Sequence, residues 1–147
     1  MAPVQIFIIL SALVIMPFAW LRGGRPERAV VAAQLAGYLL ASAVQSWRWG
    51  NLFVGVAAVD FAVWICLVWL SLRCDRWWLL IVTGAQTLNL IAHPVLLLGI
   101  SLTARETVAA QWAFTIVTLY SLLLGVLERR LSGEPPGGIL KRRTNLT

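Results

Sequence analysis

Five long apolar stretches, none containing a lysine or arginine, dominate this chain. They are Pro3–Leu21, Ala29–Ser46, Leu52–Leu72, Trp77–Ile100 and Val108–Leu127, of 19, 18, 21, 24 and 20 residues. A helix rises ~1.5 Å per residue, so about 20 residues cross a ~30 Å hydrocarbon layer. Each stretch therefore predicts a transmembrane helix. A transmembrane barrel is excluded, because its strands alternate whereas these runs are continuous. With 60% hydrophobic and 12% charged residues in 147, lipid rather than a soluble core has to cover the apolar surface. The expected fold class is all-α, a polytopic, antiparallel five-helix transmembrane bundle. It occupies residues 1–128, with spans at about 3–21, 29–46, 52–72, 77–100 and 108–127, followed by a basic, Pro/Gly-rich cytoplasmic tail over 129–147.

The loops predict the orientation. Arg22, Arg25 and Arg28 follow the first stretch, Arg73 and Arg76 the third, and Arg129, Arg130, Lys141, Arg142 and Arg143 the fifth. Ten of the twelve cations thus share one side, and Arg48 and Arg105 stand on the other. Cytoplasmic loops retain Lys and Arg, which places the N-terminus outside and the C-terminus in the cytoplasm. The net charge of +6 is this asymmetry and does not call for nucleic acid. Arg25, Arg28, Arg73, Arg76 and the Lys141–Arg143 cluster are expected to meet lipid headgroups or a partner. Seven of the eight tryptophans stand near span ends, as interfacial belts, and Trp64 is the exception. The first stretch lacks a basic leader and a small-x-small cleavage site, so it reads as a retained span. Cys66 and Cys74 form no CxxC pair and are expected to be inert.

Polar residues inside the stretches are the functional candidates. On the second, Ala29, Ala33, Gly37 and Ala41 recur every four residues and form an expected helix-packing face or homodimer seam. Gln34, Tyr38 and Gln45 run beside it. The fourth carries Gln86, Asn89 and His93, and the fifth Gln111, Thr115 and Thr118, each set sharing a helix face. Such rows face protein or water, because an unpaired polar group in lipid costs several kcal/mol. Asp60, inside the third stretch, is the most expensive residue of all. Counted from the outer ends at ~1.5 Å per residue, Ser11, Tyr38 and Asp60 lie roughly 12 Å deep, and His93 and Thr115 about 10 Å. Asp60 and His93 are therefore the expected buried pair, with Ser11, Tyr38, Gln86, Asn89 and Thr115 as a supporting polar layer. Pro94, directly after His93, is a candidate kink.

Three roles remain open for the pair. It fixes helix register; it belongs to a proton-handling or ligand-binding pocket on the outer side; or His93 ligates haem across a symmetric dimer. Several enzymes are discounted. An intramembrane aspartyl protease needs two buried aspartates, a retinal protein needs an intramembrane lysine, and Ser11 lacks the Gly-x-Ser-Gly setting of rhomboid-like proteases. No Gly-rich phosphate loop is present.

The five spans, length and tryptophan content resemble, in composition only, the tryptophan-rich translocator-protein family, whose early Trp-Trp-x-Pro-Pro element is missing. Gly24-Arg25-Pro26-Glu27-Arg28, Val59-Asp60, Leu72-Arg73-Cys74-Asp75-Arg76-Trp77-Trp78, Gln86 and His93 resemble a set of small, uncharacterised bacterial inner-membrane proteins over roughly Gly23–His93. That resemblance implies a location but no activity. The expectation is a non-catalytic inner-membrane protein, an accessory or assembly subunit of a larger complex or a homo-oligomer. The alternatives are a protein that binds a small ligand such as a quinone, haem or carotenoid, and a small oligomeric channel or proton path. No cofactor is specified by the residues themselves.

Overall fold

The computed structural model describes residues 3–48, 53–97 and 104–133. Five α-helices account for nearly all of them: α1 (Pro3–Arg22), α2 (Arg25–Ala43), α3 (Val54–Arg73), α4 (Trp77–Leu97) and α5 (Ala104–Leu131). The Lys141–Arg143 cluster and most of the expected tail lie outside the described residues.

Helix boundaries follow local chemistry. The chain leaves α1 where the Gly23 amide donates to the Ala19 carbonyl at 2.9 Å. Gly24 then caps α2 in an extended conformation, with Pro26 in its first turn. The carboxylate of Glu27, three residues into the helix, accepts the Gly24 amide at 2.8 Å. This satisfies a donor that a helix start leaves free. At the end of α3, the extended Cys74 amide donates to the Leu70 carbonyl at 2.8 Å. Helix α4 continues through Pro94 to Leu97 rather than ending there. Helices α2 and α5 depart most from their expected bounds. Helix α2 begins at Arg25, four residues before the apolar run, because the Glu27 cap nucleates it there. Helix α5 extends to Leu131, so Glu128, Arg129 and Arg130 belong to the bundle and not to a tail.

Each helix packs on the next in sequence, α5 returns to α1, and α2 also touches α5 across the ring. Short connections force this order. One end of the ring gathers the close of α1, α3 and α5 with the start of α2 and α4, and it carries the arginines. Arg28 Nε donates to the Trp20 carbonyl at 2.9 Å. The Arg130 guanidinium lies 5.0 Å over Phe18, and Arg73 lies 5.2 Å over Trp69. The buried core sits in this half: Ile15 and Ala19, Val30 and Val31, Leu67 and Leu70, Trp78, Leu79 and Val82, Leu122 and Val126. Lipid is as apolar as leucine, so what these contacts contribute in a bilayer is dispersion and shape fit rather than escape from water.

Three helices are long and apolar enough to cross a membrane: Pro3–Arg22, Val54–Arg73 and the Ala109–Leu131 part of α5. Their outward side chains, such as Leu13, Val14, Ile65 and Leu72, are exposed apolar groups suited to lipid contact. Helices α2 and α4 are as long, at 19 and 21 residues, but carry Glu27, Gln34, Gln86, Asn89 and His93. Glu27 turns to the arginine end, and the other four turn inward and build the site.

Candidate functional site

Above the tight half, the helices border a half-open cavity of about 330 Å³ whose wall mixes polar and apolar side chains. Helix α2 contributes Gln34 and Tyr38, α3 Asp60, α4 Gln86 and Asn89, and α5 Gln111, Thr115 and Thr118; Met16, Trp112 and Leu119 are among the apolar walls. The local cause is periodicity. Offsets of three, four and seven residues stack side chains on one helix face. The polar faces of α2, α4 and α5 meet around this cavity.

Asp60 anchors the site from the seventh residue of α3. His93 Nε2 lies 2.8 Å from Asp60 Oδ2. Gln86 Nε2 donates to Asp60 Oδ1 and to the Asp60 carbonyl, each at 3.4 Å. Gln86 and His93 stand two turns apart on α4 and grip the carboxylate from successive turns. The side chains of His93 and Asp60 are only 10% and 19% exposed. Hydrogen bonding to Gln86 and to the His93 ring gives the Asp60 carboxyl polar partners where it is buried.

Asn89 completes the α4 face. The residue is part of the cavity wall, and its Oδ1 is buried with no hydrogen-bond partner among the described residues. A buried acceptor left unmade costs about 1–3 kcal/mol. Thr115, by contrast, spends its hydroxyl on the Gln111 carbonyl at 2.9 Å.

Other sequence candidates fall elsewhere. Ser11, on α1, is not part of the cavity wall. Tyr38 reaches the cavity rim but is 80% exposed. Trp64 donates from Nε1 to Thr87 Oγ1 at 2.9 Å and stacks on Phe61, away from the cavity. The small residues of α2 divide between two surroundings. Ala29 packs against the core, Ala41 lines the polar cavity, and Ala33 with Gly37 lines an apolar groove of about 520 Å³ against α3.

Sequence reasoning missed a second buried pair at the arginine end. Arg129 Nε donates to Glu27 Oε1 at 3.4 Å, and the two side chains are 4% and 0% exposed. The Arg129 guanidinium fills the space beside Gly24, where any Cβ would collide with it. A side chain at this cap would displace the guanidinium from its place beside Gly24. The one available signal was Glu27 at the third position of a helix opened by Gly-Gly-x-Pro; nothing in the sequence pointed to Arg129, 102 residues away. Beside this pair, Arg76 reaches Glu128 at 3.6 Å. Burial pushes the Cys74 thiol above its ordinary value, the Glu27 charge adds to the rise, and Arg76 opposes it.

Among the described residues no three of His, Cys, Asp and Glu converge on a point where they could hold a metal ion. No protein-family model matches this chain, and no curated protein or solved structure matches it either.

Proposed function

We propose that the chain is an integral membrane protein of the bacterial inner membrane, spanning it five times, that binds a small neutral molecule in the cavity beside Asp60 and His93. The observation that carries this is a cavity of about 330 Å³ with Asp60, Gln86, Asn89 and Gln111 in its wall. A volume at the lower end of the ~300–1,000 Å³ range of small-molecule sites, with few convergent polar groups, fits such a ligand. The inward turn of the polar residues of α2 and α4 supports counting these helices as spans. The gathering of arginines at one end supports a cytoplasmic C-terminus.

Among the ligands weighed from the sequence, haem is disfavoured, because His93 is not part of the cavity wall. A carotenoid has no use for a wall of amides. A single polar ring suits the volume best.

An accessory or assembly subunit remains the second reading. What favours it is α1, of which only 11% is buried, leaving a long apolar face for lipid or for another subunit.

Native mass spectrometry of the protein released from mild detergent separates the two. Ligand binding predicts a retained small molecule in the wild type that is lost in Asp60→Asn and Asn89→Leu. A bare wild-type chain that instead brings down defined subunits after mild crosslinking overturns it in favour of the second.

A further inference from the structure

The open side of the cavity falls where α1 should close it. Helix α1 stands between α5 and α2 in the ring, yet among its described residues Met16 alone reaches the cavity wall. On the flanking helices, Tyr38 of α2 and Thr115 of α5 belong to the wall and are exposed. Val31, two turns before Tyr38 on the same face of α2, is buried. On α1, Leu13 and Ile9 continue the face of Met16 one and two turns outward, and both are exposed. The mouth therefore lies between α2 and α5, and the outer half of α1 stands off from it.

The two halves of α1 are held differently. In the inner half, Ala19 is fully buried, and its carbonyl accepts the Gly23 amide. The Trp20 carbonyl accepts Arg28 Nε, and Phe18 lies under Arg130. Outward of Ile15, every side chain of α1 is half-buried or exposed. Pro17 stands at the junction, inside the helix. It has no N–H for the Leu13 carbonyl, and proline is where helices bend.

We propose that the outer half of α1 is a lid, hinged at Pro17, which swings across the mouth and lays Leu13 and Ile9 over Tyr38 to enclose the bound molecule. The lid rests on the cavity reading above and adds the gate of that site. Ile9 stands eight residues from Pro17, about 12 Å along the helix, so a bend of about 25° carries it about 5 Å. Lipid is as apolar as leucine, so covering Leu13 and Ile9 gains little over leaving them in the bilayer. Apolar burial thus favours neither arrangement, and a ligand that touches α1 only in the closed one shifts the balance.

The test is disulfide trapping of the full-length protein in nanodiscs, with Leu13→Cys and Tyr38→Cys on a Cys66→Ala, Cys74→Ala background. A disulfide needs the two Cα atoms within about 7 Å. Mild oxidation is expected to form an intramolecular bond, read by peptide mass spectrometry. Ile9→Cys with Ser42→Cys, one turn further out, is expected to behave alike. Val14→Cys in place of Leu13→Cys, turned about 100° away, is expected to react about tenfold more slowly. Pro17→Ala added to the first pair is expected to slow it about tenfold. An unfolding midpoint measured before oxidation reports that each variant is folded. The oxidised pair is expected to keep its small molecule through a dialysis that empties the same protein when reduced. No bond in either pair, equal rates with Val14→Cys or Pro17→Ala, or equal loss from oxidised and reduced protein overturns the lid and leaves the cavity reading standing. A wild-type chain that retains no small molecule in native mass spectrometry overturns both.

Discussion

Single residues here set stability against function. Asn89 holds a buried acceptor with nothing to accept. Asn89→Leu is therefore expected to raise the unfolding midpoint in detergent while abolishing ligand retention; a drop in the midpoint would show that the amide has a structural partner. Asp60 and His93 behave oppositely. Either Asp60→Asn or His93→Ala alone leaves an unmatched polar group, at about 1–3 kcal/mol, and the double variant should recover part of that. A double-mutant cycle by reversible denaturant unfolding checks this, and zero coupling would sink the pairing as an energetic unit. Cys74 gives a pH signature. Its folded-state pKa is raised from 9.0, by burial first and Glu27 second. The folded state thus favours the neutral thiol. Its contribution is fully present below the unfolded value and is lost as pH rises through the folded one. Alkylation of Cys74 should lag that of an exposed thiol at pH 8, and Cys74→Ala should remove part of the alkaline fall in stability.

At the scale of elements, the start of α2 and the end of α5 are joined by one buried ion pair. Glu27 caps its own helix through Gly24 and meets Arg129. Arg129→Met is expected to cost about 3–5 kcal/mol, because it strands a buried carboxylate. Adding Glu27→Gln should recover part of it, read by the same unfolding assay. No comparable loss is expected at the exposed Arg25. The polar faces of α4 and α5 are legible in sequence, since offsets of three, four and seven residues put side chains on one face whatever the fold. The Glu27–Arg129 contact is not legible, because each residue has its own adequate local account, a helix cap and a topology charge, and neither account requires the other.

As a whole molecule, the bundle is tight at the arginine end and hollow at the other. That gradient puts the cavity where five spans with a cytoplasmic C-terminus place the outer leaflet. Fusion reporters test this: a C-terminal fluorescent protein should mature, and a C-terminal alkaline phosphatase should stay inactive. The opposite result would invert the proposed orientation and move the cavity to the cytoplasmic side.

Helix number and helix class were determined by the chain itself, because five continuous apolar runs of helical length, separated by Gly- and Arg-bearing connections, leave few alternatives. The polar faces were determined the same way, by periodicity. Only tertiary structure decided what those faces enclose. Ser11 shares the expected depth and polarity of the cavity residues yet lies outside the cavity, since depth along a helix says nothing of rotation about its axis. Rotation is set by packing, by where Gly37 admits Val63 and where Arg129 closes on Glu27. Those contacts join residues far apart in sequence, and no local pattern encodes them.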